Sequence, residues 1–70
     1  MKERVNNMSN KMGKKLRKLR GDKSRASVAH DLGISVSAVA SYELGERVPR
    51  DPLKVSISKY YGVPVQEIFF

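Results

Sequence analysis

The chain has 70 residues, which is enough for one small domain with a thin hydrophobic core. It has no cysteine, which excludes disulfides and thiolate metal ligands. The single histidine, His30, cannot form a zinc site alone, so we predict neither a metal nor a cofactor. The 14 basic and 7 acidic residues give a net charge of +7, which suits a polyanionic partner but also fits a solvated helix face.

The beginning of the chain is charged and amide-rich, and we expect residues 1–10 to be a flexible segment before a single folded domain at residues 11–70. This segment has no apolar region of the kind found in signal peptides. No part of the chain approaches the ~18 apolar residues of a membrane helix. We therefore expect a cytoplasmic protein.

A first helix is predicted from near Asn10 to Gly21. Met12, Leu16 and Leu19 fall at i, i+4 and i+7 on one face of it, and lysines and arginines cover the opposite face. We expect the apolar face to pack on the rest of the domain.

Serines mark the beginnings of the second and third helices, and glycines mark their ends. Ser24 is a suitable N-cap for the second helix, which stops at Gly33, because its hydroxyl can accept a hydrogen bond from a backbone N–H. Ser35 caps the third helix in the same way, and Gly45 follows its end.

The fourth element has two interpretations. Leu53, Ile57 and Tyr61 fit the stripe of an amphipathic helix. The alternation of Leu53, Val55 and Ile57 with polar residues also fits an edge strand over residues 53–58. We favour the helix, because the stop signals along the chain are typical of an all-helical domain.

The flanking residues support a fourth and a fifth helix. Asp51 and Pro52 form a reasonable N-cap and first-turn pair for the fourth. A short fifth helix that starts at Pro64 would let Ile68 and Phe69 close the core. The predicted fold class is therefore all-α, with five short helices.

The second and third helices have the residues that a helix-turn-helix requires. Ala29 is small enough for two helices to cross closely, Gly33 tolerates the positive φ of a tight turn, and Val39 fills the angle between the helices. Ile34 then turns inward to plug the corner. The complete structural set is Val28, Ala29, Leu32, Gly33, Ile34, Val39 and Tyr42.

From Met12 to Phe69 the sequence resembles the Cro/CI family of phage and bacterial transcriptional repressors. Besides the helix-turn-helix, the shared features are Leu16-Arg17, Tyr42-Glu43, Gly45, Pro49, Tyr61-Gly62-Val63 and Ile68-Phe69. The resemblance implies a lambda-repressor-like domain of five helices, whose second and third helices dock on operator DNA, usually as a homodimer. We do not expect an enzyme. Family members often have glutamine in place of Arg25 and asparagine in place of Leu44.

In such a domain the third helix lies in the major groove, and its outward residues read the bases. The predicted base-reading residues are Val36, Ser37, Ala40 and Ser41. None of them can make a bidentate contact, so we expect selectivity from serine hydroxyls, thymine methyl contacts and DNA shape. The predicted phosphate contacts are Lys18, Lys23, Arg25, Ala38, Arg47 and Arg50.

Aromatic and acidic residues near the third helix are expected to be structural. Tyr42 and Tyr61 have helical spacing and are predicted to be buried rather than stacked on bases. Glu43 is predicted to form an ion pair with a basic side chain on the first helix, such as Arg17 or Lys18.

Other functions fit parts of the sequence. Catalysis by His30 and Asp31 is not expected, because adjacent residues on a helix do not face each other. The apolar end formed by Ile68, Phe69 and Phe70 fits a homodimer interface, but it also fits a protein-interaction module such as an antitoxin or antirepressor. Binding of structured RNA or anionic lipid through the first helix would leave the helix-turn-helix spacing unexplained.

Overall fold

The computed structural model describes residues 7–70, with side chains from residue 11 onward. The described residues contain no strand and form five α-helices: α1 (Asn7–Arg20), α2 (Arg25–Leu32), α3 (Val36–Glu43), α4 (Asp51–Tyr61) and α5 (Val65–Phe69). The all-α prediction is confirmed, and residues 53–58 are helical. Residues 1–6 of the segment predicted to be flexible lie outside the described residues, and α1 begins earlier than expected.

Side-chain caps start α2 and α3 as predicted. Ser24 Oγ accepts a hydrogen bond from the Ser27 N–H at 3.0 Å, and Ser35 Oγ accepts one from the Ala38 N–H at 3.0 Å. The predicted cap of α4 is wrong by one position. Asp51 lies within the first turn, and the N-cap residue is Arg50, whose side chain makes no capping hydrogen bond.

The hydrophobic core has two parts that share the α3 helix. The main cluster joins α1, α3, α4 and α5 through Met12, Leu16, Ala38, Tyr42, Ile57, Ile68 and Phe69. A smaller cluster between α2 and α3 consists of Val28, Ala29 and Val39. Leu32, Ile34 and Tyr61 pack against both clusters, so the helix-turn-helix is held on the rest of the domain.

The turn between α2 and α3 has the predicted geometry. Gly33 ends α2 with φ +71°, a left-handed conformation that a Cβ atom would strain. The next residue, Ile34, donates its N–H to the Ala29 carbonyl at 3.0 Å, which closes the turn. Val28, Ala29 and Val39 are buried against one another where the helices cross. The steric interpretation of the helix-turn-helix is therefore confirmed.

A glycine in the middle of α1 permits a second close approach, between α1 and the end of α3. A Cβ atom added to Gly13 would lie 2.9 Å from the Glu43 carbonyl carbon, nearer still to its oxygen, and 3.2 Å from the Gly45 nitrogen. All three are backbone atoms, so only glycine fits there without moving one helix away from the other. This contact was not among those predicted from the sequence.

Candidate nucleic-acid interface

The four residues predicted to read bases share the outward side of α3. Val36 is 47% exposed and Ser37 is exposed, whereas Ala40 and Ser41 are half-buried. Their i, i+1, i+4 and i+5 positions place them along one side of the helix. The opposite side of α3 packs on α1 and α2. The outward side therefore offers methyl groups and hydroxyls to a partner.

Leu44, which was not among the predicted base-reading residues, extends this outward side. It is 55% exposed and has helical dihedral angles, φ −84° and ψ −5°. Its N–H donates to the Ala40 carbonyl at 2.9 Å, so the helical path continues through it. The sequence did indicate this position, because Leu44 follows Ala40 by four residues, which is one helical turn.

Ala38 is not a phosphate contact, which corrects the prediction. Its surface is only 8% exposed, and it belongs to the main core cluster with Leu16 and Tyr42. Its N–H is already donated to the Ser35 hydroxyl. Neither its side chain nor its N–H is therefore available to DNA.

A buried carboxylate ties the helix-turn-helix to α1. The Glu43 side chain is 2% exposed. It accepts two hydrogen bonds from Arg20, at 2.7 Å from Nε and 3.1 Å from a terminal nitrogen, and a third from Arg25 Nε at 3.0 Å. The predicted pairing of Glu43 with α1 is right, but the partner is Arg20, and the exposed Arg17 and Lys18 do not contact it.

The buried Glu43 carboxylate shifts the pKa values of two neighbouring side chains, Arg20 and Tyr61. The hydrogen bond to Glu43 raises the pKa of Arg20, although partial burial acts in the opposite direction. Tyr61 lines the same small cavity as Glu43, and its burial, together with the Glu43 charge, raises the pKa of the phenol to about 12. Arg20 also donates to the Lys23 carbonyl at 2.7 Å, which fixes the loop between α1 and α2.

Arg25 and Lys23 both have partners within the protein. Arg25 uses Nε for Glu43, and its side chain remains partly exposed at the start of α2. Lys23 Nζ donates to the Tyr60 hydroxyl at 3.0 Å and lies 4.8 Å from the centre of that ring. The hydrogen bond to Tyr60 raises the pKa of Lys23. Both side chains are therefore held in place near the start of α2.

Asp31 pairs across to α4 rather than with its neighbour. The Tyr60 hydroxyl donates to Asp31 Oδ2 at 2.6 Å, and His30 is exposed. Tyr60 therefore links α2 and α4 at the surface. Of the other tyrosines, Tyr42 is buried in the core as predicted, and Tyr61 is partly buried against both core clusters.

The remaining predicted phosphate contacts are accessible. The Arg47 guanidinium lies 5.5 Å from the centre of the Tyr42 ring, just after α3. Arg47 and Arg50 line one open depression on the surface, and Arg50 is exposed. Lys18 is exposed on α1 in a separate basic depression that also contains Arg17.

The predicted dimer interface is largely internal to the domain. Ile68 and Phe69 are buried in the main core cluster, which agrees with the prediction that they close the core. They cannot also form an intermolecular contact without unpacking α5, so their assignment to the interface is wrong. Phe70 is 73% exposed, with Lys54 Nζ 5.2 Å from the centre of its ring.

Comparison with known proteins identifies the family. A family model described as helix-turn-helix matches residues 14–68, which is most of the chain. Searches of curated proteins and of solved structures returned no match. Within residues 7–70 there is no helix with the length and apolar character needed to span a bilayer. The family match agrees with the observed α2–α3 geometry and confirms the resemblance to Cro/CI-type regulators. The chain belongs to the helix-turn-helix family of DNA-binding transcription regulators.

Proposed function

We propose that this protein is a transcriptional repressor of the phage or mobile-element type, which binds a double-stranded operator in the cytoplasm as a homodimer. In this proposal α3 lies in the major groove, and its outward side contacts the bases. The resemblance to Cro/CI repressors supports the regulatory role. The observation that carries the proposal is the helix-turn-helix itself, because its tight crossing leaves one side of α3 free of the domain.

Cations next to α3 support the proposed docking. Arg25 is attached to the end of α3 through its hydrogen bond to Glu43, and the Arg47 N–H donates to the Ser41 carbonyl at 3.4 Å. The Arg47 guanidinium also lies 5.5 Å from the centre of the Tyr42 ring, so both positive charges are near the C-terminal end of α3, where they would meet backbone phosphates if α3 enters a groove. Two further exposed cations, Lys23 before α2 and Arg50 before α4, add to this positive charge.

Phosphate contacts would dominate the affinity. If each subunit neutralises four phosphates, the logarithm of the binding constant of a dimer should fall with the logarithm of salt concentration with a slope of roughly −7. Arg47→Ala should weaken binding to all sequences and make this slope less steep. Lys59→Ala removes one charge from an exposed position on α4 and serves as the matched control.

Phe70 is the proposed centre of the dimer interface. Its ring is largely exposed and borders a surface depression lined by Pro64, Val65 and Gln66. Contiguous exposed apolar surface marks interaction sites, and the Phe70 ring adjoins Pro64 and Val65. Sedimentation equilibrium at several protein concentrations should give a dimer, and Phe70→Ala should shift the equilibrium toward monomer without a loss of helical content.

The experiment that tests the function is selection of bound duplexes from a random DNA pool, followed by titration of the enriched sequence. We expect one enriched half-site motif that is rich in A·T pairs, and we expect Ser37→Gln with Ser41→Gln to change that motif. Val55→Ala, on the exposed side of α4, is the control and should leave it unchanged. Failure to enrich any sequence, with weak binding that salt abolishes, would favour a protein-interaction module instead.

A further inference from the structure

The outward side of α3 contains a continuous apolar stripe. Val36, Ala40 and Leu44 occur at i, i+4 and i+8, and the hydrogen bond from the Leu44 N–H to the Ala40 carbonyl keeps the last of them in helical register. With a rise of 1.5 Å per residue, the stripe is about 12 Å long. At about 3.4 Å per base pair, this is the length of three to four base pairs.

The neighbouring polar groups on this side are hydroxyls. Ser37 is exposed and Ser41 is half-buried beside the stripe. A hydroxyl both donates and accepts hydrogen bonds, so it can face the C4 oxygen of thymine or the C4 amino group of cytosine. The outward side of α3 therefore has little means to tell these two pyrimidines apart by hydrogen bonding.

The methyl group at C5 is the remaining difference between the two pyrimidines in the major groove. Contact with an aliphatic side chain removes that methyl group from water, and burying one such group favours binding by about four-fold, or ~0.8 kcal/mol. Val36 and Leu44 are 47% and 55% exposed in the free protein, so they have apolar surface left to bury. The stripe is therefore suited to detect C5-methyl groups whichever pyrimidine bears them.

We propose that the Val36–Ala40–Leu44 stripe recognises pyrimidine C5-methyl groups, so that 5-methylcytosine substitutes for thymine at the base pairs that the stripe contacts. Leu44 is then a specificity-determining residue. The inference depends on the proposed function, since it requires α3 to lie in the major groove. Its consequence is that methylation of cytosine in a site strengthens binding.

The test compares base pairs that differ only in the methyl group. In the duplex enriched from the random pool, each pyrimidine near the centre of a half-site is made as thymine and as uracil opposite adenine. The same position is also made as 5-methylcytosine and as cytosine opposite guanine. Fluorescence anisotropy then gives the affinity for each duplex, and each ratio within a pair reports the methyl group alone.

We expect the methyl group to strengthen binding about four-fold in both pairs, and at the same positions. Leu44→Ala should remove the effect at the outermost of these positions in both pairs, and Val55→Ala should leave it intact. Equal affinities for thymine and uracil at every position, or a methyl effect with thymine that is absent with cytosine, would overturn the inference while leaving the proposed function in place. If no sequence is enriched from the pool, the proposed function itself fails and the inference fails with it.

Discussion

Replacement of Gly13 by alanine tests the close approach of α1 to α3. In an isolated helix, alanine is more favourable than glycine by about 1 kcal/mol, so helix propensity alone predicts a more stable protein. In the folded domain the new Cβ atom would lie 2.9 Å from the Glu43 carbonyl carbon and 3.2 Å from the Gly45 nitrogen. These contacts are with backbone, which cannot rotate away as a side chain can.

Overpacking of a core costs 1–3 kcal/mol, and the backbone overlap at Gly13 puts the cost near the upper end of that range. After the gain in helix propensity, we expect Gly13→Ala to lower the free energy of unfolding by about 2 kcal/mol. For a domain of this size, such a loss lowers the Tm by about 8–16 °C.

The assay is urea unfolding followed by circular dichroism, with Lys14→Ala as the control. Lys14 is the exposed neighbour of Gly13 in α1, and its replacement should change stability by less than about 0.5 kcal/mol. If Gly13→Ala is as stable as the unmodified protein or more stable, the close approach of α1 to α3 is not what fixes glycine at this position, and our explanation is wrong.

Three further variants test other contacts. Glu43→Gln removes the charge that Arg20 and Arg25 share. It should lower the free energy of unfolding by about 2 kcal/mol, since the carboxylate is buried but its partners are partly exposed. Unchanged stability in urea unfolding would argue against a stabilising role for these ion pairs. The raised pKa of Tyr61 means that the folded state retains the phenol proton better than the unfolded state. Its contribution to stability is therefore complete below pH 10 and declines as the pH rises to about 12, and Tyr61→Phe should remove this part of the decline in unfolding measured at pH 9 and pH 11. Ser35→Ala removes the cap of α3 and should cost about 1 kcal/mol, with faster amide exchange in the first turn of that helix; protection equal to that of the unmodified protein would refute the capping role.

The sequence predicted those parts of the fold that depend on local chemistry. Ser24 and Ser35 cap the helices they precede, and Gly33 ends α2 in a left-handed conformation. The steric roles of Ala29 and Val39 also followed from residue size and spacing, because the crossing of two consecutive helices is a short-range property.

Contacts between distant elements were harder to predict. Arg20 was missed as the partner of Glu43, although it lies one helical turn after the buried Leu16 and therefore shares the inward side of α1. Ala38 was placed at the DNA surface, although it lies one turn before the buried Tyr42. In both cases the helical spacing indicated an inward position. Arg20 and Ala38 were nevertheless assigned to the surface, because one is charged and the other is small.

The approach of α1 to the end of α3 could not be predicted from spacing at all. A glycine inside a helix indicates close contact with something, but the sequence does not say with what. The role of α5 had a similar limit, since Ile68 and Phe69 fit a core and an interface equally well. Only the packing of α5 on α1 and α4 decides that both residues are internal.

The most direct test of the central claim is a backbone NMR titration of the protein with the duplex enriched from the random pool. If α3 enters the major groove, the largest chemical-shift changes should fall at Val36, Ser37, Ala40 and Ser41, with smaller changes at Arg25 and little change at Val55 on α4. Changes confined to α1 or to the surface around Phe70, with the outward side of α3 unaffected, would contradict the account.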